Sequence, residues 1–89
     1  MVTRKVVVTN RNGIHLRLAG VLVKAAGKFS STVMIAKGQE EINAKSILGV
    51  AGLGAEYGTE LLLKIDGSDE KEALLSLVRL FESNFEEGE

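Results

Sequence analysis

Segments with the periodicity of strands alternate with segments with the periodicity of helices along nearly the whole sequence. Residues 2–9 are rich in β-branched side chains, and residues 60–66 place apolar side chains at every second position. Residues 16–28 instead space their apolar side chains three and four residues apart. A chain that interleaves both kinds of element within 89 residues buries their apolar faces by stacking helices on a sheet. The sequence therefore predicts a two-layer α+β fold.

The remaining segments complete a predicted order of β-α-β-β-α-β-α. Residues 32–37 and 41–43 are predicted strands, joined by a turn short enough for a hairpin. Ser46 is the natural N-cap of a short, glycine-limited helix. Asp69 and Glu72 have the spacing of a capping box for the last helix. Periodicity alone leaves the strand order open, and a ferredoxin-like sheet is equally compatible with it.

Composition and size exclude several classes of function. The net charge is -1 and tryptophan is absent, which argues against a nucleic-acid partner. One histidine and no cysteine argue against a metal site, and no cofactor is expected. Without a signal-peptide pattern or an apolar run of about 18–20 residues, we expect a cytoplasmic protein that is not inserted in a membrane. We also expect a single domain over residues 1–89, a monomeric state, and a frayed acidic end at 86–89.

The single histidine lies where phosphoryl transfer is chemically favoured. His15 follows a glycine turn and directly precedes the predicted first helix, with Arg17 two residues later. A helix N-terminus offers backbone N–H groups and a favourable dipole to an anion. An imidazole nitrogen is a nucleophile, and a guanidinium can bind two phosphate oxygens at once. The alternatives are a surface histidine without chemistry and an arginine that is merely solvated.

Two motifs about thirty residues apart give the sequence a family resemblance. The first is Gly13-Ile14-His15-Leu16-Arg17-Leu18-Ala19, and the second is Asn43-Ala44-Lys45-Ser46-Ile47-Leu48-Gly49-Val50. With Leu53-Gly54 and Gly58-Thr59-Glu60, they resemble the HPr family of histidine-containing phosphocarriers over essentially the whole chain. The resemblance implies an open-faced β-sandwich. Its four antiparallel strands would have the order 1-4-2-3, with three helices on one face.

The resemblance also implies a function that is not enzymatic turnover. Members of the family accept a phosphoryl group from enzyme I, which is charged by phosphoenolpyruvate, and pass it to a IIA domain in sugar uptake or in a nitrogen-related branch. By match of motif, His15 is the phosphoacceptor through Nδ1, and Arg17 pairs with the phosphoryl oxygens. Ser46 matches a regulatory serine that an ATP-dependent kinase phosphorylates in many bacteria, so a serine kinase/phosphorylase is an implied partner.

The resemblance places a docking surface for protein partners around these positions. Ile47, Leu48 and Ala51 fall where the family has its apolar patch, and Leu16 would extend that patch beside the histidine. Lys24 would add positive charge for acidic partners. The alternatives are core packing for the apolar residues and a solvated surface for Lys24.

The sequence departs from the family pattern at Leu18, where a proline is usual. Leucine keeps the helix possible and supplies a backbone N–H that proline lacks. The departure favours a second hypothesis, in which a mainly regulatory protein binds a transcription factor or an enzyme through Ser46, Ile47 and Leu48. A third hypothesis is a ferredoxin-like ligand-binding module, which needs a small-molecule pocket that the sequence does not indicate.

Overall fold

Four strands and three helices form an open-faced two-layer fold in the computed structural model, which describes residues 1–86. In chain order the elements are β1 (Val2–Val7), α1 (Leu16–Gly27), β2 (Thr32–Lys37), β3 (Glu40–Asn43), α2 (Ile47–Gly52), β4 (Glu60–Asp66) and α3 (Glu70–Glu82), followed by a 3-10 turn, Asn84–Glu86. The predicted element order and the α+β class are confirmed. Of the acidic end, residues 87–89 lie outside the described residues.

The sheet is antiparallel, with the strand order β1-β4-β2-β3. β4 pairs with β1 on one side, where Val6 lies opposite Leu61, and with β2 on the other, where Ile35 lies opposite Leu63. This order is the one that the family resemblance implies. Periodicity left the strand order open, and the observed order is that of the open-faced sandwich and not that of a ferredoxin-like sheet.

The core lies between one face of the sheet and the apolar faces of the helices. Along β4, Leu61, Leu63 and Ile65 are buried while the residues between them remain partly accessible, as the alternation predicts. Leu22 of α1 and Leu77 of α3 are fully buried against this face. Burying one such side chain contributes about 1.5–3 kcal/mol to folding. No helix in the described part of the chain is long and apolar enough to span a membrane.

Three element boundaries differ from the sequence prediction. β3 begins at Glu40, one residue earlier than predicted. β1 ends at Val7 and not at residue 9. Its pairing continues irregularly, since the N–H of Val8 donates to the Thr59 carbonyl at 2.9 Å. α1 ends at Gly27, one residue early, because Lys28 serves as its C-cap. Strands β2 and β4 have the predicted limits.

The predicted capping box of Asp69 and Glu72 is wrong. Asp69 is the N-cap residue of α3, but its backbone is not extended and its carboxylate makes no capping hydrogen bond. The carboxylate accepts instead from the N–H groups of Ser30 and Ser31, both at 2.9 Å, and from the Ser31 hydroxyl. The hydrogen bond from the Ser31 hydroxyl, followed by that from the Ser30 N–H, lowers the pKa of Asp69 to about 2. This carboxylate joins the start of α3 to the segment between α1 and β2.

Replacing Asp69 by asparagine should reduce stability in a pH-dependent way. Because the pKa of Asp69 is about 2 in the folded protein and its ordinary value is 3.8, the ionised carboxylate stabilises the fold above about pH 4. That contribution is lost as the pH falls from about 4 towards 2. The difference in unfolding free energy between the wild type and Asp69→Asn should therefore be full at neutral pH and shrink below pH ~4. Urea denaturation across this range measures it.

Asp66→Asn is the matched control, because Asp66 is an exposed carboxylate whose ion pair with the N-terminal amine, at 3.4 Å, is also exposed. It should show no comparable shrinkage. A difference for Asp69→Asn that stays constant with pH would contradict the assigned role of this carboxylate.

Candidate functional site

His15 occupies the N-cap position of α1. Its backbone is extended, with φ −85° and ψ 179°, and its carbonyl accepts the Ala19 N–H at 2.9 Å as the helix begins. The side chain is half-buried and makes no capping hydrogen bond. His15 is therefore the N-cap residue by its backbone, but its imidazole does not cap the helix. This geometry leaves a ring nitrogen available for chemistry.

The first turn of α1 provides a setting for an anion beside this ring. The N–H groups of Leu16, Arg17 and Leu18 precede the first i→i−4 hydrogen bond of the helix, so they point out of its N-terminal end. No acidic residue lies in this turn, and nothing in it offsets the positive end of the helix dipole. The Arg17 side chain is exposed in the same turn. The predicted nucleophile and the predicted counter-charge therefore lie at the same end of α1.

A close backbone contact fixes the loop that carries His15. The Ile14 N–H donates to the Ala55 carbonyl at 2.8 Å. Gly13 adopts φ +71°, and a Cβ at this position would lie 2.5 Å from the Ala55 oxygen and 2.9 Å from Glu56 Cα. Only glycine avoids both the left-handed strain and the overlap. The segment after α2 therefore holds the segment before α1.

Leu18 contributes a larger apolar side chain to the core than a proline at this position would. Its side chain is fully buried in the main apolar cluster, and α1 forms through this position as predicted. The departure from the family pattern thus exchanges a rigid first turn for a larger buried side chain.

Ser46 is the N-cap of α2, as predicted. Its hydroxyl accepts the Gly49 N–H at 3.2 Å, and the side chain remains exposed. Next to it, Leu48 is 81% exposed and Ile47 is 41% exposed. On α1, Leu16 is 65% exposed directly beside His15. These apolar side chains are available to a partner.

Two other predicted docking residues have different surroundings. Ala51 is partly buried and packs against the core. Lys24 is exposed and lines a groove between α1 and α3, together with Lys28 and Arg79. Ile47 also contacts α1 closely, since a Cβ on Gly20 would lie 3.8 Å from Ile47 Cδ1.

One supporting residue was missed by sequence reasoning. The ammonium group of Lys37 donates to the carbonyls of Leu53 and Gly54, at 3.1 and 3.3 Å. It thereby satisfies carbonyl groups at the C-terminal end of α2, immediately before Ala55. No local pattern indicates this contact, because Lys37 lies in β2 and its acceptors are backbone atoms. Among residues 1–86, no group of three His, Cys, Asp or Glu side chains could hold a metal ion.

Comparison with known proteins shows the family to which this chain belongs. The model of the PTS HPr component phosphorylation site matches residues 2–83. The chain belongs to the HPr phosphocarrier family. The phosphocarrier protein HPr of Treponema pallidum is 45% identical over 87 residues, which cover 98% of this chain and 99% of that protein. The HPr-like protein Crh of Bacillus subtilis is 42% identical over 77 residues, covering 86% of this chain and 91% of Crh.

Solved HPr structures have the same fold. HPr-C-His from Thermoanaerobacter tengcongensis superimposes with a TM-score of 0.94 at 40% identity, covering 98% of each chain. HPr from Bacillus anthracis gives a TM-score of 0.85 at 34% identity, covering 90% of this chain and 95% of that one. The family resemblance seen in the two motifs is confirmed.

Gly13→Ala should destabilise the protein by about 2–4 kcal/mol, because the new methyl group combines left-handed strain with an overlap against the Ala55 carbonyl. Gly38→Ala is the matched control. Gly38 also has a positive φ, +60°, but no atom lies within 4 Å of its Cβ position. That substitution should cost only about 1–2 kcal/mol. Urea denaturation of both variants measures the difference, and equal losses would show that the contact with Ala55 does not constrain the loop.

Proposed function

We propose that the chain carries a phosphoryl group on His15. It accepts the group in the cytoplasm from enzyme I, which phosphoenolpyruvate charges, and delivers it to a IIA domain as a monomer. The observation that carries this proposal is the His15 ring, which makes no capping bond at a helix N-terminus that lacks acidic residues. Residues 1–89 act in this role as one domain, with no cofactor.

The transfer step needs no further reactant. Nδ1 of His15 uses its lone pair to form a bond to the phosphorus atom while the bond between phosphorus and the donor breaks, and the donor keeps that electron pair. The N–H groups of the first turn of α1 and the Arg17 guanidinium would bind the phosphoryl oxygens. Delivery to the IIA domain reverses these roles, since His15 then becomes the leaving group.

Docking would use the exposed apolar surface around this site. Leu16, Ile47 and Leu48 are accessible to an apolar patch on the partner, and Ala51 would contribute at the edge. Lys24 and Arg17 would favour a partner with carboxylates around that patch, mainly by accelerating association. The same surface would serve both donor and acceptor, in sugar uptake or in its nitrogen-related branch.

Incubation with phosphoenolpyruvate and a catalytic amount of enzyme I should add one phosphoryl group to the wild type. The bond should be acid-labile, as expected of a phosphohistidine. His15→Ala should acquire none, because it lacks the only imidazole in the chain. Intact-mass spectrometry before and after acid treatment measures both results.

Ser46→Ala serves as the control in that experiment and should be phosphorylated like the wild type. If enzyme I is active on another carrier but leaves the wild type unmodified, the carrier proposal fails. Modification of His15→Ala would place the phosphoryl group on a different residue.

A second candidate function is mainly regulatory. The exposed hydroxyl of Ser46 lies beside the exposed Ile47 and Leu48, so a serine kinase could add about -2 charges within the docking surface. A transcription factor or an enzyme could then recognise the modified patch. The chain is similar to Crh, the catabolite repression HPr of Bacillus subtilis, and this similarity supports a regulatory function.

Ser46→Asn separates the cap from the modification, because asparagine is also a good N-cap. After treatment with ATP and an HPr-type serine kinase, the wild type should gain binding to a purified transcriptional regulator, whereas Ser46→Asn should not. Ser46→Ala should additionally lose about 0.5–2 kcal/mol of stability through the missing cap. Calorimetric titration measures the binding. Identical binding before and after kinase treatment would remove the regulatory candidate.

A further inference from the structure

Tyr57 is an exposed aromatic side chain on a hydrogen-bonded turn. It is 67% exposed, whereas Phe81 and Phe85 are buried. The turn is closed by the Thr59 N–H, which donates to the Glu56 carbonyl at 3.0 Å, and by the Glu56 N–H, which donates to Thr59 Oγ1 at 3.0 Å. The N–H of Gly58, the residue after Tyr57, donates to the carbonyl of Val8, just beyond β1, at 2.8 Å. Tyr57 is therefore exposed on a part of the surface that hydrogen bonds hold in place.

This turn lies close to the site. The hydrogen bond of 2.8 Å from Ile14 to Ala55 connects the residue before His15 with the residue two positions before Tyr57. Following standard backbone dimensions through that bond, the Cα atoms of His15 and Tyr57 are at most about 16 Å apart. The direct distance is shorter than this path.

A partner that docks over His15 must cover a surface of this size. A standard protein interface buries about 800 Å² on each side, which corresponds to a disc with a radius of about 16 Å. The Cα atom of Tyr57 therefore lies within the radius of a standard footprint centred on His15. Tyrosine is among the residues that carry most binding energy in interfaces, because its rigid ring buries a large area at low entropic cost.

We infer that Tyr57 is a docking residue for enzyme I, the phosphoryl donor, on a surface whose other apolar contacts include Leu16, Ile47 and Leu48. The inference rests on the proposed function. The sequence motifs do not include Tyr57, and its role follows from the contact between Ala55 and the loop before α1. The complementary surface on enzyme I would be an apolar pocket surrounded by carboxylates, which would face Arg17 and Lys24.

Titration of the ¹⁵N-labelled chain with enzyme I, without phosphoenolpyruvate, tests this inference by NMR. The backbone amide signals of Tyr57 and Gly58 should shift together with those of Leu16 and Leu48. The dissociation constant should rise at least about fivefold for Tyr57→Ala and stay within about twofold for Tyr57→Phe, because the ring provides the contact. Tyr57→Ala should keep the wild-type circular dichroism, since the side chain is exposed.

Leu75→Ala is the matched control, because Leu75 is an apolar side chain on α3 that is 53% exposed and is not part of the proposed surface. It should bind like the wild type. Equal affinity of Tyr57→Ala and the wild type would overturn the inference alone. Signals of Tyr57 that change only with the concentration of the chain itself would overturn it in favour of self-association. Absence of binding by the wild type would overturn it together with the proposed function, whereas normal binding without phosphorylation of His15 would contradict only the latter.

Discussion

The hydrogen bond from the Ile14 N–H to the Ala55 carbonyl, at 2.8 Å, joins the two halves of the site. It is possible only because Gly13 has no side chain and adopts a positive φ. Through this bond the segment after α2 fixes the orientation of the segment before α1. The histidine and the apolar patch of α2 are therefore held in one arrangement, although they lie in separate parts of the sequence. A partner meets a surface that is already organised.

Lysine side chains reinforce this arrangement at the ends of the helices. Lys45 Nζ donates to the Phe29 carbonyl at 2.7 Å, just beyond α1, and Lys37 donates to the carbonyls after α2. Positive groups at C-terminal helix ends are electrostatically favourable. At the opposite end of α1, neither a side-chain cap nor an acidic residue occupies the first turn. The helix end left available for an anion is the one that begins beside His15.

Features that depend on neighbouring residues could be predicted from the sequence, whereas contacts between residues distant in sequence could not. β4 was placed correctly because its alternation is a property of neighbouring residues, and the pairing of His15 with Arg17 is visible within one turn of helix. The capping box failed because the carboxylate of Asp69 binds Ser30 and Ser31, which are distant in sequence. The strand order depends on such long-range pairings, so it came from the family resemblance and not from periodicity. The role of Lys37 remained hidden for the same reason.

In the proposed transfer, the first turn of α1 would bind the phosphoryl group once it is attached to His15. Comparison of ¹H–¹⁵N NMR spectra before and after phosphorylation by enzyme I tests it directly. The amide protons of Leu16, Arg17 and Leu18 should shift downfield, because these groups would donate to the phosphoryl oxygens. If these three signals stay unchanged in the phosphorylated protein, the first turn of α1 does not bind the phosphoryl group.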